Sequence, residues 1–450
     1  MAGISNTYDP TSTAQALAES FTAARQAILT RQGTQAGATE KGLSTLGSAL
    51  SAFQSSLAAL TGLNKTISAS SAIFSDTTIA SASATAGAAA GTYSFFVAQV
   101  ASAHKVSYSG MADFAGGGSL TLGVGSSSFS VDLSTKANWT VRELAAAING
   151  ATGNTSMSAA VITTGTTSEL VLTSKTTGAA NTISVSSTGT DPTLAAKLGA
   201  APNQLAAALD AVVRVGSATG TEIRQASNTF NVVDGVTMTL TKAQAAGSAP
   251  VTLTVASDAS KTAANAQAFV DAYNKLKTAI DALVSPGDPK SGGAAGAFAG
   301  DSGVRALRDR MISALRSSGA TSLANFGITA NRQGTLSLDT TRLNKALALD
   351  PTGLDTLVGS SATTGASGIA GQLDTYLKLW TNSANGQIGR RKDAVSELQS
   401  DLAERQSALD KQYDSAYTRY LAQFTQLQTV QNNMSYNTSL FDALFSSAKD

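Results

Sequence analysis

The sequence predicts a multidomain α+β protein: a helical, coiled-coil-like leg built from both chain ends, with two nested β-rich domains inserted between them. Two runs of heptad-spaced apolar residues sit at opposite ends of the chain. Between them lies a Ser/Thr/Gly-rich stretch in which apolar residues alternate with small polar ones. Helical periodicity returns only after that stretch. Heptads put side chains on a seam that needs a partner helix, whereas a period of two puts them on one face of a sheet.

The N-terminal run is Leu43, Leu46, Leu50, Phe53, Leu57 and Leu60, continued by Ile67. The C-terminal run is longer. Ile388, Val395, Leu402 and Leu409 recur every seven residues, with Leu398 expected on the same face. Four residues past Leu409 a second register opens at Tyr413 and continues through Tyr420, Leu427 and Met434, which reads as a stutter. Tyr417 and Phe424 flank it. Asp401 and Arg405 form an i,i+4 pair on the polar face, worth roughly 0.2–0.5 kcal/mol. No proline interrupts 388–434. A pattern that long argues for an extended helical bundle over two ordinary amphipathic helices, which average about 11–12 residues.

Ahead of the first heptads, Leu17, Phe21, Ala24 and Ile28 form a helical face that Gly33, Gly37 and Gly42 are expected to interrupt. Each glycine costs roughly 1 kcal/mol relative to alanine in a helix. Residues 1–40 are therefore expected to be a flexible segment, as is the tail 436–450. Residues 78–91 read as a transition. Tyr93, Phe95 and Val97 alternate as a strand, and Leu120, Leu122, Val124 with Phe129, Val131, Leu133 form a hairpin across Gly125. Thr140 and Glu143 make a capping box for a helix over 141–148, stopped by Asn149-Gly150. Strands follow at 159–163, 169–174 and 182–186, then at 211–215, 222–224, 236–241 and 251–255. From Lys261 the period is helical again, through Ala268, Phe269, Tyr273, Leu276 and Ile280. Asp301 is the expected N-cap of a further helix. These boundaries give a leg of 41–80 plus 257–435, a β-rich domain of 81–104 plus 205–256, and an inserted β-rich domain of 105–204 with a short helix.

Composition narrows the function classes. Charged residues are 14% of 450, against a usual level of about 25%. Lys+Arg number 31 and Asp+Glu 30, so net charge offers no attraction for nucleic acid or an acidic membrane. The absence of cysteine excludes disulfides, thiol catalysis and Cys-ligated metals. Residues 1–10 have neither a basic nor an apolar signal region, so no cleavable signal peptide is expected. No window reaches the ~18 apolar residues of a membrane-inserting helix.

Catalytic constellations are missing. His104 is the single histidine, and no Gly-x-Ser-x-Gly elbow accompanies it. Gly116–Gly118 lead into no Gly-Lys-Ser/Thr, so they read as a turn. Asp258, Asp271 and Asp281 lack the spacing of a calcium loop. Trp139 and Trp380 read as packing residues. No enzyme activity, cofactor or metal site is expected.

Several short stretches together resemble the family of flagellar filament-capping proteins, the hook-associated cap proteins. They are Ala147-Ile148-Asn149 with 169–174, Ser227-Asn228-Thr229-Phe230 with 234–240, and 269–276, which contains Phe269, Tyr273 and Asn274. Gly300-Asp301-Ser302, Phe326-Gly327-Ile328-Thr329, 334–339 and the helix 420–434 complete the order. The opening residues lack the family's usual glycine-rich start. The resemblance implies a homo-oligomeric ring at the distal end of the bacterial flagellum. That ring retains exported flagellin and promotes its folding and insertion during elongation, while helical legs reach down to the growing end. Implied partners are further copies of the chain, flagellin, hook–filament junction proteins and an export chaperone at the C-terminal helix. Export by the flagellar type III route to an extracellular location is also implied.

The alternative class is a surface adhesin or phage tail-tip-like structural binding protein carrying β-domains on a stalk. A wall-cleaving hydrolase would need an acid pair or metal site, and the sequence offers neither.

Overall fold

A helix of 52 residues opens the chain, α1 (Pro10–Thr61). The structure is a computed structural model that describes residues 9–446 apart from 166, 289, 291 and 317–321. The first eight residues and 447–450 of the expected flexible ends therefore lie outside the described residues. Asp9 caps α1 by accepting from the Thr11 and Ser12 amides at 3.2 and 3.0 Å, and Pro10 takes the first helical position. The expected break at Gly33, Gly37 and Gly42 does not occur. Once a helix is nucleated each residue adds a bond, and the Ala-, Gln- and Leu-rich neighbours outweigh isolated glycines. Gly42 has a packing reason: a Cβ there would come within 2.8 Å of the Ala297 Cβ.

The chain then builds a β-rich unit over Ser68–Thr262, compact by itself. Strands β1 (Ser70–Phe74), β2 (Ala80–Ala84) and β3 (Gly91–Gln99) lead in. The inserted block is β4 (Ala103–Met111), β5 (Phe114–Ala115), β6 (Ser119–Val124), β7 (Ser127–Asp132), β8 (Asn138–Trp139), α2 (Val141–Gly150), β9 (Met157–Thr164), β10 (Thr167–Thr177), β11 (Ile183–Thr188), α3 (Pro192–Gly199) and β12 (Asn203–Ala206). The return comprises β13 (Ala211–Val215), β14 (Thr221–Gln225), β15 (Thr229–Phe230), β16 (Val236–Leu240) and β17 (Val251–Ser257).

Sheets β1-β17-β3-β13-β14 and β15-β16-β2 enclose one core, with Phe95, Val213, Phe230, Met238 and Leu253 at its centre. Sheets β12-β4-β10-β9 and β11-β6-β7, with α2, enclose another around Leu120, Leu144, Ile148 and Leu170. Strands β3 and β13 pair directly, Val97 opposite Val213, so the second core is inserted between two neighbouring strands of the first. The hairpin β6–β7 has the expected register, Leu122 opposite Phe129, around Gly125 at φ 57°. The capping box of α2 is present, with the Glu143 amide donating to Thr140 Oγ1 and the Thr140 amide to Glu143 Oε2.

One boundary differs from expectation. Residues 68–80 were assigned to the leg, and 78–91 to a transition, yet β1 pairs with β17 and β2 with β16. Their Ala/Ser content gives almost no hydrophobic alternation, so their strand character comes from the partners rather than from local pattern.

The helical unit holds the chain up to Ile67 and from Ala263 onward. After α4 (Ala259–Val284) come α5 (Ser302–Ala314), a 3₁₀ turn at Leu323–Phe326, the hairpin β18 (Ile328–Ala330) and β19 (Leu336–Leu338), then α6 (Thr340–Leu349), α7 (Gly353–Val358), α8 (Gly368–Thr381) and α9 (Gln387–Ser446). Leu43, Leu46, Leu50, Phe53 and Leu57 are buried in one core with Phe269, Tyr273, Leu307, Leu377, Trp380, Ile388, Val395 and Leu402, and Leu60 packs against it. The first heptad run thus serves a multi-helix core as well as α9.

Candidate functional site

The described residues hold no group of three or more His, Asp or Glu side chains that could bind a metal. The candidate site is accordingly a surface, formed by α1 and α9 beyond the multi-helix core. Glu40 accepts from Gln399 at 2.8 Å, Gln26 and Gln406 bond each other at 3.1 and 2.8 Å, and Arg25 donates to Gln412. Numbers rise on one helix as they fall on the other, so the pair is antiparallel.

On α9 the buried row is Ile388, Val395, Leu402, Leu409 and Ala416, one unbroken heptad series. The expected stutter is absent. Tyr413 and Tyr420 are half-buried on the flanking row with Gln399 and Gln406, four residues on from each buried position. Leu398, expected on the seam, is 43% exposed. The flanking row facing α1 runs through Gln399 instead, and its bond to Glu40 occupies that place. Leu427 is 45% and Met434 63% exposed. Among the described residues α1 begins level with Leu427: fifteen residues before Arg25 is Pro10, and fifteen after Gln412 is Leu427.

On α1 the fully buried residues along this seam are small, Ala14, Ala18, Thr22 and Ala36, with Leu29 partly buried among them. The face expected from Leu17, Phe21 and Ile28 exists, but it flanks the seam with α9 rather than entering it, and Phe21 is 50% exposed. Val430, Leu440, Phe441 and Leu444 extend the exposed apolar surface along α9. Sequence reading missed the seam's small residues. Their i,i+4 spacing was visible at 14, 18 and 22, but alanine and threonine carry little hydrophobic signal.

The root of α9 is pinned electrostatically. Arg391 donates to Asp301 at 2.6 Å, and its guanidinium lies 5.3 Å from the Trp380 ring centroid. Asp301 also caps α5, accepting from the Val304 amide at 2.9 Å. Burial acts to raise its carboxyl, but the Arg391 bond, the Val304 amide and the Arg391 charge together hold it below the usual range.

The three signature asparagines share one geometry. Asn149 donates to the Ala159 carbonyl at 2.7 Å and accepts from the Ala159 amide at 2.8 Å. Asn228 does the same to Ala101 at 2.9 and 2.7 Å, and Asn274 to Leu336 at 2.8 and 2.8 Å. Each amide side chain thus pairs with the backbone of one residue, Ala159 of β9, Leu336 of β19 and Ala101 in the connection from β3 to β4, as a neighbouring strand would.

Three family models match consecutive parts of the chain. The flagellar hook-associated protein 2 N-terminus matches 6–104, the flagellin hook IN motif matches 119–176, and the flagellar hook-associated protein 2 C-terminus matches 208–436, more than half of the chain. The chain belongs to the flagellar hook-associated protein 2 family.

Within this hook-associated family, the lateral flagellar hook-associated protein 2 of Vibrio parahaemolyticus is 32% identical over 376 residues, covering 80% of this chain and 82% of its own. The B-type protein of Pseudomonas aeruginosa is 32% identical over 414 residues, covering 86% and 85%. The crystal structure of the D1-D2-D3 domains of the Escherichia coli flagellar cap protein FliD is similar at TM-score 0.61 and 26% identity, over 79% of this chain and 99% of that one.

The remaining hook-associated signature residues pack or turn. Ile148, Phe269, Tyr273 and Phe326 are buried. Gly327 closes the 3₁₀ turn at φ 76°, where a Cβ would come within 2.5 Å of the Asp339 carbonyl. Burial, and then the Asp281 charge, push the Tyr273 hydroxyl up to about 12. His104 Nδ1 accepts from the Ile183 amide at 2.8 Å, tying β4 to β11. Among the described residues no helix is long and apolar enough to cross a membrane.

Proposed function

We propose that this protein caps the distal end of a flagellar filament. Copies form a ring there that retains exported flagellin and promotes its folding and insertion as the filament elongates. The observation that carries this reading is the apolar surface on the outer part of the α1–α9 pair, in a chain of the hook-associated family. Leu17, Phe21 and Ile28 on one helix and Leu427, Val430 and Met434 on the other are each more than 40% exposed. Such a stripe on a monomer marks a protein-contact surface.

In this reading the heptad positions from Leu43 to Leu60 and from Ile388 to Leu409 hold the leg rigid, and the distal helices meet the growing end. The two β-rich domains form the plate. Because the cap advances as each subunit adds, leg contacts are weak and exchangeable; thin seams of alanine, threonine and glutamine suit that requirement. Flagellin, hook–filament junction proteins and an export chaperone on the C-terminal helix are the expected partners. The location is the extracellular flagellum tip, reached by type III export. No catalytic step is involved.

Deleting the gene tests the reading. Flagellin monomers are expected in the medium, with short or absent filaments on the cells. Normal filaments combined with lost surface attachment would replace capping by adhesion.

A further inference from the structure

The outer α1–α9 pair carries a groove that no described residue fills. Two adjoining clefts of about 470 and 410 Å³ run along it. Phe21 and Ile28 of α1 and Leu409 of α9 give the groove an apolar floor. Its rim is cationic: Arg25, Lys411 and Arg419 line it beside Arg405, whose guanidinium is paired with Asp401 at 2.7 Å, and no lining residue is a carboxylate. Arg25 lies 6.0 Å from the Phe21 ring centroid and bonds Gln412, so its charge is held across the groove. Arg419 lies 4.9 Å from the Tyr420 ring. From Arg405 to Arg419 the rim extends roughly 21 Å, about four helical turns.

We propose that this groove receives an amphipathic α-helix of a partner protein, with apolar residues at i, i+3/i+4 and i+7 and carboxylates on the flanks. The inference rests on the capping reading, and it names the chemistry of the partner helix at the filament end. Apolar residues at helical spacing fill a two-helix groove as the third member of a bundle. Arg25, Lys411 and Arg419, three cations with no lining acid, select carboxylates on the incoming helix and reject lysines. A second copy of this chain does not supply the pattern. Its own exposed apolar segment, 421–446, contains one charged residue, Asp442. The groove's charges match a partner of different composition.

The test uses the purified full-length protein and two synthetic helical peptides about four turns long. One has a leucine stripe flanked by glutamates, and its twin has lysine at every glutamate. The glutamate peptide is expected to bind saturably, less tightly at high salt, while the lysine twin does not bind. Arg25→Glu with Arg419→Glu should weaken the glutamate peptide roughly tenfold and let the lysine twin bind. Phe21→Ser should weaken either peptide. All these positions are at the surface, so circular dichroism should show unchanged helix content. Equal binding of both peptides, or binding of neither, overturns the proposal. So does sedimentation showing that the wild type self-associates through this face and that the charge-reversed variant is monomeric. Peptide binding is read in vitro and the deletion phenotype in cells, so failure of one is distinguishable from failure of the other.

Discussion

Replacing Asn274 by alanine removes both bonds to Leu336 and leaves that residue's amide and carbonyl without their partner. Leu336 is buried, at 5% exposure, so the two groups lose their bonds where water enters poorly. An unsatisfied buried group costs about 1–3 kcal/mol. Asn274 itself is half-buried, which lets water recover part of that. The expected destabilisation of the helical unit is therefore about 2–4 kcal/mol. The chain provides its own reporters. It has two tryptophans; Trp380 is buried in the helical core and Trp139 in the inserted β core. Urea unfolding followed by fluorescence in Trp139→Phe and Trp380→Phe backgrounds separates the two transitions. Asn274→Ala should shift the Trp380 transition alone, and Asn149→Ala the Trp139 transition alone. Asn274→Asp should also destabilise at neutral pH, since a carboxylate accepts from the Leu336 amide but cannot donate to the Leu336 carbonyl, and should recover on acidification. An Asn274→Ala protein with an unmoved Trp380 transition, or an aspartate variant as stable as wild type at neutral pH, would refute the edge-pairing argument.

Other expectations follow from the same geometry. Leu402→Ala should cost about 2–4 kcal/mol, while Leu398→Ala on the exposed side should stay within about 0.5 kcal/mol; equal losses in urea titrations would put Leu398 back on the seam. Leu50→Asp together with Leu402→Asp should lower helix content by circular dichroism and stop filament growth; unchanged values for both would remove the leg assignment. Gly33→Ala and Gly37→Ala, where a Cβ meets nothing within 4 Å, should stabilise by roughly 1 kcal/mol each, while Gly42→Ala should destabilise because of Ala297; thermal melts giving one sign for all three would contradict this. Asp301 titrates below its ordinary 3.8, so its contribution is present above that pH and is lost as pH falls through the lowered folded value. Arg391→Met removes the main lowering partner, so acid unfolding of the helical unit should start at higher pH; an acid profile identical to wild type would count against the Arg391–Asp301 pin.

Much of this arrangement is legible in the residues. Branched and aromatic side chains at fixed period gave away the heptad rows from Leu43 and Ile388, the β6–β7 hairpin and the α2 capping box. Failures have a common physical source, which is that small or amphipathic residues take their structure from partners. The Ala/Ser strands β1 and β2 and the seam at Ala14 and Ala18 carry too little apolar contrast to announce themselves. The opposite error arose at Leu398, where strong hydrophobicity suggested a place on the seam that Gln399 takes instead. Helices α6, α7 and α8 were overlooked, although Asp339 before Leu343 and Leu347 is an N-cap signal of the ordinary kind. The asparagine pairing could not be anticipated, because a bidentate amide is defined by the backbone it meets.

The nesting of the chain also dictates an order of events during folding. Ser102 bridges Leu209 in the inner block, and further out the Ala69 amide donates to Thr262 Oγ1 at 2.9 Å. Once the β-rich unit has formed, the roughly two hundred residues of Ser68–Thr262 no longer count as an open loop for the helices on either side. Closing an unstructured loop of that length costs on the order of 5 kcal/mol, and the prior closure spares the helical core that entropy. Yet Leu43 to Leu57 share a core with Ile388, Val395 and Leu402, more than three hundred positions later. A chain that emerges from its N-terminus must therefore keep α1 uncovered until nearly its last residues arrive. Late closure of this kind leaves the helical ends without their shared core until the chain is nearly complete.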